Sequence, residues 1–121
     1  MHIQFAELPV RDQDRAKQFY VDHLGCAVAA DIPMGNTGWR WIELNFAGSE
    51  TALHLVRAKA DGTSDEPALV LVDDDVAATV RKLKSKGVEI ITEPHCPAWR
   101  PGRVVAEFRD SEGNRMMIGG R

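Results

Sequence analysis

Glu7, Glu43 and His54, in the N-terminal half of this 121-residue chain, are the candidate residues for a site that transfers a proton. A histidine can gain or lose a proton near neutral pH, and a carboxylate can act as a base or bind a cationic group. The same three side chains are also suited to a divalent cation. The alternatives are a hydrogen-bonded structural histidine, and carboxylates that pair with Arg103, Arg115 or backbone groups.

The chain also has three tryptophans but one tyrosine. Flat apolar ligands are commonly held between aromatic walls, although core packing explains a typical tryptophan. The strand pattern described below predicts that Trp41 contacts a ligand, and Trp99 lies in a proline-rich stretch near the expected binding surface. Arg103 could contact an anionic group there, or could be a solvated surface arginine.

The elements that would position these residues occur in the same order twice. In "ELPVRDQDRAKQFYVDHLG" a strand ends, Asp12 or Asp14 caps a helix, and Gly25 ends that helix. A weaker copy, "LVLVDDDVAATVRKLKSKG", follows later. The patterns predict strands at Ile3–Pro9, Cys26–Ile32, Trp39–Phe46, Thr51–Arg57, Pro67–Val72, Val88–Thr92, Arg103–Arg109 and Asn114–Gly119, a second helix at Asp74–Lys86, and a loop at Pro94–Gly102.

This second copy predicts an internal repeat, in which corresponding residues are separated by a constant number of positions. Four pairs of identical residues are 62 positions apart: Val10 and Val72, Asp12 and Asp74, Ala16 and Ala78, Gly25 and Gly87. We therefore predict a single α+β domain, residues 1–121, of two βαβββ modules, 1–57 and 67–121, joined by a linker at 58–66. The modules would form a curved eight-stranded mixed sheet around a central cup, with one helix backing each half.

Strand alternation assigns side chains to the two faces of each predicted sheet. The helix side should carry Ile42, Leu44, Phe46, Val104, Ala106 and Phe108. The opposite side then receives Trp41, Glu43 and Asn45 from one strand and Arg103, Val105 and Glu107 from its counterpart. The first strand of each module should add Phe5, Glu7, Pro67, Leu69 and Leu71 to that side.

Bulk properties exclude several functions. A net charge of −3 gives no basic surface for nucleic acid. No apolar run approaches the roughly 18 residues of a membrane-spanning helix, so no membrane role is predicted. The N-terminal "MHIQFAELPV" lacks the basic and apolar regions of a signal peptide. We therefore expect a cytoplasmic protein.

Two motifs, "LPVRDQDRAKQFYVDHLG" and "FRDSEGNRMMI", together with the paired modules, resemble the vicinal oxygen chelate superfamily. That superfamily includes glyoxalase I, bleomycin-resistance proteins, fosfomycin-resistance thiol transferases and extradiol dioxygenases. The resemblance implies four metal-ligand positions, which fall on Phe5, His54, Pro67 and Met117. Only His54 is a good ligand for a hard divalent cation. The resemblance also implies a homodimer.

The leading hypothesis is a metal-independent protein that binds an aromatic or drug-like small molecule, with no cofactor. Ligand contacts are predicted for Phe5, Trp41, Leu69, Trp99, Arg103 and Met117. His54, Glu7 and Glu43 would orient the ligand. The alternative is an enzyme of the same superfamily, of the lyase, thiol transferase or dioxygenase type. It would use a rearranged divalent metal site or proton transfer by His54 and a glutamate.

Overall fold

The computed structural model describes residues 1–59 and 65–121, and most of the predicted linker lies outside them. The chain divides into two compact units, Met1–Asp61 and Gly62–Arg121, here called module one and module two. Module one contains β1 (Phe5–Val10), α1 (Gln13–Leu24), β2 (Ala27–Pro33), β3 (Arg40–Asn45) and β4 (Ala52–Arg57). Module two contains β5 (Leu69–Val72), α2 (Val76–Ser85), β6 (Ile90–His95), β7 (Val105–Arg109) and β8 (Arg115–Gly119).

Each module has one four-stranded mixed sheet with the same strand order. The orders are β1-β4-β3-β2 and β5-β8-β7-β6. The first strand of each module pairs in parallel with the last, and the other neighbours are antiparallel. The predicted α+β class, with two βαβββ modules and eight strands, is confirmed. The strands are grouped as two four-stranded sheets.

Helix α1 begins where the sequence predicts and holds β3 in position. Asp12 is its cap, because its carboxylate accepts a hydrogen bond from the backbone N–H of Arg15 at 3.0 Å. Gln13 is buried and makes two hydrogen bonds to the backbone of Arg40. Its Nε2 donates to the carbonyl at 2.7 Å and its Oε1 accepts from the N–H at 2.9 Å. These bonds fix the start of the strand that carries Trp41 and Glu43.

Helix α2 begins two residues later than predicted, at Val76. Asp75 is its cap and accepts from the backbone N–H of Ala78 at 3.0 Å. The two capping aspartates, Asp12 and Asp75, are therefore 63 residues apart rather than 62. Three consecutive aspartates, 73–75, are candidate caps of this helix. Residue identity at the offset of 62 therefore points to Asp74 as the counterpart of Asp12, whereas the structure uses Asp75.

The same one-residue difference appears in the sheets and corrects the predicted face of Leu69. Leu69 pairs with Met116, which is fully buried on the helix side with Phe108. Leu69 and Leu71 therefore lie on the helix side of module two, and Val70 and Val72 lie on the opposite side. A slip of one residue moves every side chain of a strand to the other face. The predicted placement of Leu69 on the face opposite the helix is thus wrong.

Two further features complete the described fold. Strand β6 continues to His95, so the proline-rich connection to β7 starts at Cys96 rather than at Pro94. Among the described residues, no helix combines the length and the apolar character needed to cross a membrane.

Candidate functional site

Three strands of module one bring five of the predicted site residues to the sheet face opposite α1. Glu7 of β1 is the register partner of His54 in β4, and Glu43 of β3 is the partner of the same histidine. Phe5 and Trp41 lie two residues before the glutamates and so share their face. We call this set, Phe5, Glu7, Trp41, Glu43 and His54, the module-one face.

Aromatic contacts dominate the module-one face. The indole of Trp41 stacks on the imidazole of His54, with ring centroids 3.8 Å apart and planes inclined by 30°. Phe5 lies 6.0 Å from Trp41 in an edge-on arrangement at 80°, and 6.0 Å from His54. Trp41 and Phe5 are half-buried, whereas His54 is 8% exposed. The three rings form a continuous aromatic surface.

Each glutamate of this face contacts one of the aromatic side chains. Glu7 Oε2 lies 2.8 Å from His54 Nδ1, and Trp41 Nε1 donates a hydrogen bond to Glu43 Oε2 at 2.7 Å. Both carboxylates thus have a partner within module one. The Glu7 side chain is 56% exposed and can still accept a hydrogen bond from a ligand. The Glu7–His54 contact also provides a path for a proton between the two side chains.

The corresponding face of module two carries an ion pair instead. Glu107 accepts two hydrogen bonds from the guanidinium of Arg115, at 2.7 Å from Nε and 2.9 Å from Nη2. Thr92 donates a third, at 3.1 Å. The Arg115 hydrogen bonds hold the pKa of Glu107 below the usual range of a glutamic acid, with smaller contributions from Thr92 and from the charges of Arg115 and His95.

This ion pair predicts a pH dependence of stability. Because the pKa of Glu107 is lower in the folded than in the unfolded state, its stabilising effect is complete above the unfolded value of about 4.3. The effect is lost as pH falls through the lower, folded value. Below about pH 4.3, the free energy of unfolding, measured with urea, should therefore fall more steeply with decreasing pH for the wild type than for Glu107→Gln. The two slopes should differ by up to about 1.4 kcal/mol per pH unit, the limit for one proton. Parallel curves would contradict this assignment.

The remaining predicted contacts belong to module two. Met117 is half-buried and is the register partner of Glu107. Arg103 donates a hydrogen bond from Nε to the carbonyl of Gly120 at 2.7 Å. Trp99 lies on the β6–β7 connection and is 64% exposed. Leu69 lies on the helix side, as described above.

The residues at the four metal-ligand positions implied by the resemblance do not fit a divalent cation. With the corrected offset of 63, the counterpart of Phe5 is Ala68 rather than Pro67, and the counterpart of His54 is Met117. His54 is then the one side chain of four able to bind a hard cation. Within residues 1–59 and 65–121, no group of three or more His, Cys, Asp or Glu side chains is arranged for a metal. The proposed rearranged set is not assembled, since Glu43 Oε2 faces the Trp41 indole.

Two structural contacts were not anticipated from the sequence. The guanidinium of Arg57 lies 4.3 Å from the ring of Trp39, which gives that tryptophan a cation–π contact with a residue outside the set that forms the module-one face. Gly119 lies directly beneath the guanidinium of Arg103. Both contacts join residues on different strands or loops, and neither leaves a periodic signal in the sequence.

Comparisons with known proteins agree with this architecture. The family model of the Glyoxalase/Bleomycin resistance protein/Dioxygenase superfamily matches residues 2–118. The Bacillus subtilis (strain 168) protein YetH is 35% identical over 111 residues, which are 90% of this chain and 89% of YetH.

Solved structures give the same result. TnmS3, an antibiotic binding protein from Streptomyces sp. CB03234, has a TM-score of 0.82 at 30% identity, covering 99% of this chain and 95% of TnmS3. A superfamily member from Sphaerobacter thermophilus DSM 20745 has a TM-score of 0.84 at 23% identity, covering 100% and 98%. The chain therefore belongs to the glyoxalase/bleomycin resistance protein/dioxygenase superfamily.

Proposed function

We propose that this protein binds a small planar aromatic molecule on the module-one face, without a metal ion. The observation that carries the proposal is the stack of Trp41 on His54, bordered by Phe5. Aromatic rings favour offset stacking and edge-on contacts with other rings. A flat ligand would find both kinds of contact at this surface.

The polar atoms of the same face support recognition of a ligand with a donor group. Glu7 is paired with His54, yet more than half of its side chain is exposed. A hydroxyl or N–H of the ligand could donate to this carboxylate. Apolar walls with a few placed polar groups are typical of small-molecule sites.

The similarity to TnmS3 supports the ligand class. TnmS3 is an antibiotic binding protein, and 30% of aligned residues are identical over nearly the full length of both chains. Because one fold hosts many chemistries, this likeness supports the proposal only together with the aromatic contacts.

Metal independence can be tested by metal removal. We expect protein purified without chelators to contain less than 0.1 equivalent (an order-of-magnitude threshold, about one site in ten occupied) of zinc, nickel, manganese or iron. Dialysis against EDTA should leave the Kd of 2-naphthamide, measured by isothermal titration calorimetry, within about twofold. One equivalent of metal per chain, or binding that is lost with EDTA and restored by a single metal, would contradict the proposal.

The Glu7–His54 contact supports a second candidate, an enzyme that transfers a proton. A carboxylate that orients a histidine is a common arrangement in general acid–base catalysis. Such an enzyme would exchange an acidic carbon-bound hydrogen of its ligand for deuterium in D₂O, and His54→Gln would abolish that exchange. Exchange at the rate of the buffer alone would leave the binding function as the better description.

We also propose that the protein is a cytoplasmic homodimer. The family resemblance supports the dimer, and the exposed apolar residues of edge strand β2, Val28 and Ile32, are consistent with a covered surface. Light scattering at micromolar concentration should give twice the chain mass of 13.4 kDa. A monomer mass would reject the dimer without affecting the proposed binding.

A further inference from the structure

The guanidinium of Arg103 occupies the space where residue 119 would have a side chain. A Cβ atom placed on Gly119 would lie 2.7 Å from Nη2, 2.8 Å from Nε and 2.9 Å from Cζ of Arg103. All three distances are far shorter than van der Waals contacts. Gly119 has no positive φ angle, so its backbone conformation does not require glycine. The glycine makes room for the guanidinium.

The guanidinium is also held by a directed hydrogen bond. Its Nε donates to the carbonyl of Gly120 at 2.7 Å, which ties the side chain to the end of β8. Arg103 is half-buried in this position. A fixed arginine loses less conformational entropy than a mobile one when it binds a partner.

The charge of Arg103 is not neutralised by a carboxylate within the described part of the chain. Arg40, Arg115 and Arg121 each form an ion pair with an aspartate or glutamate. Within the described residues, the guanidinium of Arg103 donates to the Gly120 carbonyl, and that group is uncharged. Glu107, an acidic residue of β7 two positions after Val105, is already paired with Arg115.

Apolar side chains lie on the sheet face next to this cation. Gly119 is the register partner of Val72 and of Val105, so the two valines share its face. Met117, two residues earlier on β8, lies on that face as well. Val72 is 55% exposed and Val70, the partner of Met117, is 56% exposed. The module-two face thus combines exposed apolar side chains with one uncompensated positive charge. His95 borders it, with its Nδ1 2.9 Å from the carbonyl of Glu93.

We propose that Arg103 binds the anionic group of an organic ligand, so that the protein selects aromatic carboxylates or sulfonates over their uncharged analogues. A guanidinium presents paired donors that match the two oxygens of a carboxylate. Val70, Val72 and Met117 supply apolar contact for the rest of such a ligand. The inference goes beyond the proposed function, because it concerns the face of module two and not the module-one face.

A matched pair of probes tests the inference. 2-Naphthoate and 2-naphthamide have the same ring and nearly the same shape, but only the first is charged at pH 7.5. We expect wild-type protein to bind 2-naphthoate about 10-fold more tightly in calorimetric titrations at low salt, as a charge-assisted hydrogen bond predicts. In Arg103→Met the two Kd values should agree within about twofold, with the value for 2-naphthamide unchanged.

Two further variants complete the test. Arg100→Met removes an exposed arginine from the same connection and should retain the full preference for 2-naphthoate. Gly119→Ala keeps the charge but displaces the guanidinium, so its preference should fall below about threefold. If Gly119→Ala or Arg103→Met retains the 10-fold preference, the inference is wrong while the proposed function stands. If wild type binds neither probe, the proposed function fails and the inference fails with it.

Discussion

Replacement of Trp41 by alanine is expected to weaken the binding of 2-naphthamide about 30-fold, measured by calorimetry. The indole provides the largest part of the aromatic surface and stacks on His54 at 3.8 Å. Removing a central aromatic contact from a binding site commonly costs about 2 kcal/mol, which corresponds to this change in Kd. The indole also donates to Glu43, so its loss frees a carboxylate next to the ligand and adds to the effect.

Trp39→Ala provides the matched control. Trp39 comes just before β3 and contacts Arg57 rather than the module-one face. Its removal should leave the Kd of 2-naphthamide within about twofold. The folded state of both variants is checked by near-ultraviolet circular dichroism. An equal loss of affinity in the two variants, or none in Trp41→Ala, would argue against the module-one face as the ligand surface.

The second large effect concerns the turn between β7 and β8. Asp110→Ala is expected to lower the free energy of unfolding by about 3 kcal/mol and the Tm by about 10 °C. The buried carboxylate accepts hydrogen bonds from the backbone N–H groups of Glu112 at 2.9 Å and Asn114 at 2.8 Å. It also accepts one from Asn114 Nδ2 at 3.1 Å. The substitution leaves two buried backbone donors without this acceptor.

Ser111→Ala tests whether the effect is specific to the carboxylate. Ser111 is in the same turn, and its hydroxyl donates to Glu112 at 2.9 Å without contacting the backbone donors. Its removal should change the Tm by less than about 2 °C. A similar loss in Ser111→Ala would indicate that the turn tolerates no change, and a small loss in Asp110→Ala would show that water replaces the carboxylate. Either result would contradict the role assigned to Asp110.

The module-one face was predictable because its strands differ on their two sides. In β3 the apolar Ile42 and Leu44 alternate with Trp41 and Glu43, so the buried side is evident from the pattern. In β4 the polar His54 lies between Leu53 and Leu55 and has a defined side as well. Alternation therefore assigns these residues to the face on which the structure places them.

The faces of the first strand of module two, β5, could not be predicted from alternation. Residues 68–72, "ALVLV", are all apolar, so hydrophobicity does not distinguish the two faces. The only other guide was the offset of 62, taken from identical residues. It holds for Gly25 and Gly87, but α1 has 12 residues and α2 has 10, so the connections differ in length. The offset is 63 at the helix caps, between β1 and β5 and between β4 and β8, and it is 64 between β3 and β7, where Glu107 corresponds to Glu43.

Contacts between side chains on neighbouring strands could not be predicted from the sequence for a different reason. The contact of Glu7 with His54 exists because β1 and β4 pair in parallel, and these residues are 47 positions apart. Alternation places both on one face but does not say which residue of one strand lies beside which residue of another. The space above Gly119 likewise depends on where the Arg103 side chain turns, which no local pattern encodes.

The central claim is that an aromatic ligand binds at Trp41 without a metal ion. The most direct test is a ¹H–¹⁵N correlation spectrum of EDTA-dialysed protein during titration with 2-naphthamide, with the three indole N–H signals assigned by single Trp→Phe variants. We expect the Trp41 signal to shift in proportion to ligand occupancy, because ring currents of a stacked ligand act at short range, while the Trp39 signal stays in place. Saturable binding with no change at Trp41, or binding that requires added metal, would contradict the account.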